Sequence, residues 1–211
     1  MYRPSSLGHK LATKIRIITE TKKNYVEKSP FSCRYRQKSV TLQQDFALKL
    51  VMKRILFICL GNICRSPAAD GIMRHLVAER GLEDEFLIDS AGIGSWHVGQ
   101  LPDYRMRQCG QRHGYNFDHR ARQFSSKDFA RFDLIAVMDQ ENYHDVARLA
   151  NSQADLAKII RMSDYLRHHP GQKTVPDPYY GDTRDFEFAL ELLEDACEGL
   201  LDELVKSTSR K

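Results

Sequence analysis

A short apolar run, Ile55–Ile58, passes directly into the loop Cys59-Leu60-Gly61-Asn62-Ile63-Cys64-Arg65, after which Ser66 and Pro67 open a helical pattern. A continuous apolar run of this length fits a strand buried on both faces, as in a parallel sheet. Ser66 and Pro67 suit the N-cap and first turn of a helix. Ala68, Ile72 and Leu76 then share one helical face, and Gly81 closes it. The chain here is strand, tight loop, helix.

The alternation continues to the C-terminus. A second strand fits Phe86–Asp89, and a Gly-rich loop covers Ala91–Leu101. A helix at about Asp103–His113 ends at Gly114. Asp133–Met138 reads as another buried strand, followed by a helix from about Gln140 to Leu149 and a fourth strand at Lys158–Met162. The last helix runs from about Thr183 to Val205, with Phe186, Ala189, Leu193, Cys197, Leu200 and Leu204 on its buried stripe. Strands alternating with helices predict an α/β fold whose parallel sheet is covered on both faces. Ligands in such sheets bind beyond the carboxyl ends of the strands, where Cys59–Arg65 leaves the first one.

Charge divides the chain at about residue 51. Residues 1–51 carry 11 Lys/Arg against Glu20, Glu27 and Asp45, a net +8, so the whole-chain +4 leaves −4 for residues 52–211. The first segment has no sustained periodicity and is expected to be a disordered basic extension, with residues 52–211 as the domain. Its first 19 residues lack any acid, which weakly resembles a transit peptide, while Met52 directly precedes the first strand and suits an upstream start. The body is mildly acidic and has no nucleic-acid motif, so no nucleic-acid partner is expected. No apolar run approaches a membrane span and no early stretch resembles a signal peptide. Five cysteines without framework spacing suit free thiols in a reducing cytoplasm. No second close Cys/His pair completes a zinc site, and neither metal nor cofactor is expected. His168-His169 reads as an exposed loop pair.

Cysteine, five residues, arginine is a weak pattern in isolation. With five Cys and 19 Arg, chance supplies about 0.45 such pairs. Its placement between a strand and a capped helix gives it weight, because backbone N–H groups there can surround an anion. Gly61 is expected to permit the tight turn. Arg65 offers a planar fork that matches two phosphate oxygens. Both Arg65 and the helix N-terminus favour negative charge on Cys59, lowering its expected pKa, and Ser66 can donate a hydroxyl to the thiolate. Otherwise Cys59 would be a small buried residue and Arg65 a solvated helix-start charge. A thiolate aimed at a cradled phosphorus is a nucleophile for phosphoryl transfer.

LFICLGNICRSPAA resembles the phosphate-binding loop of the low-molecular-weight protein tyrosine phosphatases, and DSAG (89–92), PDYR (102–105), ARQ (121–123) and DPYYG (177–181) extend the resemblance over about Met52–Val205. The resemblance implies a four-stranded parallel sheet flanked by helices in three layers, and hydrolysis of phosphotyrosine or small aryl phosphates by a monomer or weak dimer. Phenolate, with a pKa near 10, needs an acid to leave. Locally Asp177 is an ordinary turn residue between Pro176 and Pro178, but it matches the family's general acid. Trp96 matches a specificity position and Tyr179 and Tyr180 the mouth, although Trp96 also suits a loop anchor. Leu60, Gly61, Asn62, Ile63, Cys64 and Ser66 complete the substrate loop. Asn62, Ser90 and His119 match a network that holds it in shape. Cys64 is either a redox partner of Cys59 or a packing residue.

Three rivals share parts of this pattern. Arsenate reductases of the same fold need two further closely spaced cysteines, whereas Cys109 and Cys197 stand far apart. The phosphoarginine-specific branch carries Thr where this chain has Ile63. A silent phosphate-binding module could lose Cys59 or Asp177, and both are present.

Overall fold

The computed structural model describes residues 52–208. The expectations for residues 1–51, disorder, transit peptide or upstream start, lie outside the described residues. Four strands form one sheet: β1 (Lys53–Cys59), β2 (Phe86–Gly92), β3 (Leu134–Val137) and β4 (Ile159–Arg161). Their order is β2-β1-β3-β4 and every pairing is parallel.

Alternation along β1 builds two cores. Ile55, Phe57 and Cys59 face the larger one, with α1 (Arg65–Glu79), α2 (Tyr104–Arg112) and α6 (Thr183–Thr208). Leu56 and Ile58 face the smaller one, with Phe129 of α3 (Asp128–Arg131), Val146 of α4 (Gln140–Ala147) and Leu156 of α5 (Gln153–Leu156). Each of these β1 side chains is removed from water, and a buried Ile, Leu or Phe contributes about 1.5–3 kcal/mol. This is why the strand reads as an unbroken apolar run. The expected stripe of α6 is buried from Phe186 to Leu200, with Leu204 partly covered.

The three-layer α/β/α arrangement and all four strands are as the sequence predicts. Several details differ. β2 continues three residues beyond Asp89, because Ser90, Ala91 and Gly92 pair with Phe57, Ile58 and Cys59. α1 starts at Arg65 with Cys64 at its N-cap, so Ser66 lies inside the first turn and does not cap it. α3 and α5, each of four residues, are too short to show a helical period. At the far end of α1 the expectation holds: Gly81 takes a φ of 65°, and the Leu82 N–H donates to the Val77 carbonyl at 3.0 Å.

From β1 the chain goes to β2 on one side and β3 on the other, so the strand order reverses at β1. The loops leaving the carboxyl ends of β1 and β3 therefore meet above the sheet. Val175 donates its N–H to the Met138 carbonyl at 2.9 Å, and this brings the segment before Asp177 to the same end.

Candidate active site

The Cys59–Arg65 loop is held from outside. Cys59, Leu60 and Ile63 accept through their carbonyls from the N–H groups of Ile93 (3.0 Å), Gly94 (2.8 Å) and Asp103 (2.8 Å). No N–H of Leu60–Cys64 has a protein acceptor among the described residues. A ring of donors with its carbonyls turned outward suits an anion. The left-handed residue of the loop is Asn62 (φ 55°) and not Gly61, so the turn expected at Gly61 is made one residue later. Space at Gly61 is tight instead, since a Cβ there would lie 3.1 Å from the His97 ring and the ring would have to shift. Gly92 is tighter still: a Cβ would meet the Asn62 nitrogen at 2.9 Å.

Asn62 also explains how the loop keeps its shape. Its Oδ1 accepts from the Arg122 N–H at 2.9 Å, which fixes the amide orientation. The two amide hydrogens then go to Ser66 Oγ (2.9 Å) and Ser90 Oγ (3.0 Å). With that lone pair used, the Ser66 hydroxyl hydrogen points to Cys59 Sγ (3.0 Å) or the Ala91 carbonyl (3.3 Å). Ser90 lies 3.5 Å from Asp70, which His119 approaches at 3.4 Å and Arg74 bonds at 2.5 Å. Burial pushes the Asp70 carboxyl above its usual range despite Arg74 and His119. Two residues, Asp70 and Ser90, thus stand between His119 and the loop. Asn62 and Ser66, expected to bind substrate, have buried side chains that serve this network.

Arg65 is 2% exposed. Its Nη1 donates to Asp139 Oδ2 (2.6 Å) and the Val175 carbonyl (3.1 Å), and Nη2 donates to Asp177 Oδ2 (2.7 Å). Burial works to lower its pKa, but the negative groups Cys59, Asp177 and Asp139 outweigh this and raise it. Nε is buried without a hydrogen-bond partner. An unpaired buried donor on a charged group is costly, and a bound anion would supply a partner. Asp139 was missed in the sequence. Its Oδ1 caps α4 through the Asn142 N–H (2.7 Å), and a D-x-x-N spacing after a strand signals only that cap.

Cys59, Leu60, Gly61, Ile63 and Cys64 floor a pocket of about 300 Å³, and Trp96, His97, Asp177, Tyr179 and Tyr180 form its walls. Trp96 is 69% exposed and Tyr180 97%, while Tyr179 is half-buried and packs edge-on against Tyr180 with centroids 5.0 Å apart. Trp96 is thus a rim residue rather than a buried anchor. Gly94 is what lets it lie there, because a Cβ on Gly94 would fall inside the indole. His97 is a wall residue that the sequence did not single out. Burial, with the Cys59 charge next, pushes the Cys64 thiol far above its usual range.

Other donor clusters lie away from the pocket. Cys109, His113 and Glu187 come together across α2 and α6, a close Cys–His pair the sequence reading overlooked, but Arg112 already pairs with Glu187. Asp70, Asp89 and His119 gather similarly, with Arg74 and Arg122 on the carboxylates. Of the expected exposed loop pair, His168 is exposed and His169 half-buried, and both bond Asp195 (2.9 and 3.1 Å).

The profile described as "Low molecular weight phosphotyrosine protein phosphatase" matches residues 54–210. A low molecular weight phosphotyrosine protein phosphatase of Sus scrofa is 40% identical over 155 residues, covering 73% of this chain and 97% of that protein. A crystal structure of a protein tyrosine phosphatase from Entamoeba histolytica superposes with a TM-score of 0.71 at 40% identity, covering 74% of this chain and 98% of the other. That of YfkJ from Bacillus subtilis does so at 0.69 and 42%, covering 74% and 96%. With its cysteine loop, buried arginine and acid at the end of a four-stranded parallel sheet, the chain belongs to the low molecular weight phosphotyrosine protein phosphatase family.

Proposed function

We propose that this enzyme hydrolyses phosphotyrosine, and small aryl phosphates, through a phosphocysteine intermediate. The reading is carried by one observation: Cys59 and Asp177 line a single pocket, and Arg65 sits against Asp177 at 2.7 Å although 112 residues separate that pair. The loop N–H groups and Arg65 hold the phosphoryl oxygens. Cys59 Sγ attacks phosphorus, and the S–P bond forms as the P–O bond to the aryl group breaks. Asp177 gives its proton to the departing oxygen. Water then attacks phosphorus, Asp177 takes its proton, the S–P bond breaks, and inorganic phosphate leaves. Ser66 stabilises the thiolate at each end of the cycle.

Ile63 and the Trp96, Tyr179 and Tyr180 rings make an apolar wall for a phenyl ring, which favours phosphotyrosine over phosphoarginine. Arsenate reduction is disfavoured by burial of the spare thiols. It pushes Cys109 up to about 12 and Cys197 higher, and neither is placed to shuttle electrons. No described helix is long and apolar enough to cross a membrane. We place the enzyme in the cytoplasm, as a monomer or weak dimer, where its thiols stay reduced. The test is turnover of an aryl phosphate by wild type and Cys59→Ser, followed by phosphotyrosine, phosphoserine and phosphoarginine peptides. Turnover by Cys59→Ser, or a preference for phosphoarginine, overturns the reading.

A further inference from the structure

Apart from the bond of Arg65 to the Asp177 carboxylate, the acid segment 177–181 has little to hold it in place by itself. Its internal bonds are the Tyr179 N–H to Asp177 Oδ1 (3.3 Å) and the Gly181 N–H to the Pro178 carbonyl (2.9 Å). These close the turn locally and do not set its height above Cys59. Arg105, at the start of α2 and not among the residues that line the pocket, bonds it as well. Nη2 donates to the Tyr179 carbonyl at 3.0 Å, and Nη1 lies 3.5 Å from the Gly181 carbonyl.

The guanidinium is itself locked. Asp103 takes Arg105 Nε (3.0 Å) and Nη2 (2.8 Å) in a two-point pair, and accepts the Arg105 N–H (2.8 Å) as the cap of α2. Burial works to raise the Asp103 carboxyl, but the Arg105 bonds outweigh it and hold it below the usual carboxylate range. Beneath the pair, the buried Phe186 ring of α6 lies 4.5 Å from the guanidinium carbon, a distance suited to cation–π attraction. Asp103 reaches the other way as well, since its N–H donates to the Ile63 carbonyl in the nucleophile loop.

We infer that Arg105, seated on Asp103, is a positioning residue that sets Asp177 at the height where it can protonate the group leaving Cys59. One short unit, Asp103–Arg105, touches the nucleophile loop through Ile63 and the acid loop through Tyr179 and Gly181. A fork is required because a lysine ammonium cannot bond Asp103 at two points and reach those carbonyls together. This inference rests on the reading of Asp177 as the acid and adds what places it.

The experiment compares phenyl phosphate, whose leaving group needs a proton, with 4-nitrophenyl phosphate, whose leaving group needs it less. Arg105→Met keeps an apolar stem over Phe186 and removes the fork. Its kcat on phenyl phosphate should fall on the order of 10- to 100-fold, with a loss of at most about threefold on the nitrophenyl ester. Vanadate titration counts correctly folded sites, so a loss of folded protein is separated from a loss of rate. In an Asp177→Ala background, Arg105→Met should cost nothing further on phenyl phosphate. Equal losses on both esters, additive losses with Asp177→Ala, or no loss overturn the role given to Arg105. A leaving-group-independent loss in Asp177→Ala alone instead removes Asp177 as the acid, and the inference falls with it.

Discussion

Asp177 Oδ2 and Arg65 Nη2 lie 2.7 Å apart, so the proposed acid and the proposed phosphate clamp share one charge-assisted hydrogen bond. On the proposed mechanism a phosphate dianion in the Cys59 loop would need the same guanidinium edge, so anion binding is expected to compete with Asp177 for Arg65 and to free that carboxyl for the substrate.

Asp177→Ala should separate the two roles. The rate should fall on the order of 10²–10⁴ for phenol leaving groups and less for nitrophenol. Inorganic phosphate should inhibit the variant as well as or better than wild type, by up to about fivefold, because a partly exposed ion pair of up to about 1 kcal/mol no longer competes. Steady-state inhibition constants measure this. Weaker phosphate binding in the variant would mean that Asp177 supports the clamp.

Cys59→Ser should abolish turnover yet still bind vanadate. Trp96, the sole tryptophan, stands in the pocket wall, so its fluorescence reports that binding directly. Arg65→Lys should lose on the order of a hundredfold or more in kcat, since one ammonium cannot meet Asp139, the Val175 carbonyl and a phosphoryl oxygen together. Activity of Cys59→Ser near wild type contradicts the mechanism.

The parts of this site that were legible in the sequence are local. An apolar run, a seven-residue loop and a helix start are neighbours in the chain, so Cys59 and Arg65 could be read together. Asp139 could not, because its bond to Arg65 joins residues 74 apart, and locally it looks like any helix cap. Gly92 was hidden for a related reason. Its requirement comes from the Asn62 backbone, which the fold brings within 2.9 Å of where a Cβ would sit. Ser66 suits a helix cap because serine often caps, and that expectation fails, but the contact of its hydroxyl with Cys59 that the sequence also predicts is present, with Asn62 as a second partner. His97 has no motif at all and is found only by its place in the pocket wall.

Asn62→Ala removes three hydrogen bonds and puts a Cβ residue without a local polar group at φ 55°. Stranding Ser66, Ser90 and the Arg122 N–H should cost about 1–3 kcal/mol. Asn62→Gly loses the same bonds but tolerates the backbone, and should be the more stable of the two by about 1 kcal/mol. Both should lower kcat. Chemical denaturation ranks them, and an alanine variant as stable as wild type would show that the network does not hold the loop.

The segment leading to the acid loop is held by groups whose charge depends on pH. Asp195 on α6 is buried, and burial works to raise its carboxyl. The N–H groups of Arg167 and His168 and the His168 and His169 rings outweigh this and hold it below the usual range. A depressed carboxyl stabilises the fold above its unfolded pKa, about 3.9, and that stability fades as pH falls through the folded value. His169 has the opposite sign. Its hydrogen bond to Asp195, with Glu191 behind it, raises its pKa, so its contribution is full below about 6.5 and is lost as pH rises through the folded value. Between the two lies a window in which both act. The difference in Tm between wild type and His169→Gln should therefore be present at about pH 5.5 and absent by about pH 9. Asp195→Asn should remain destabilised at about pH 9, because there Asp195 still holds the backbone N–H groups of Arg167 and His168. Thermal scans of the three proteins across pH decide it. A His169→Gln difference that grows with pH would reverse the sign and remove the ion pair from the account.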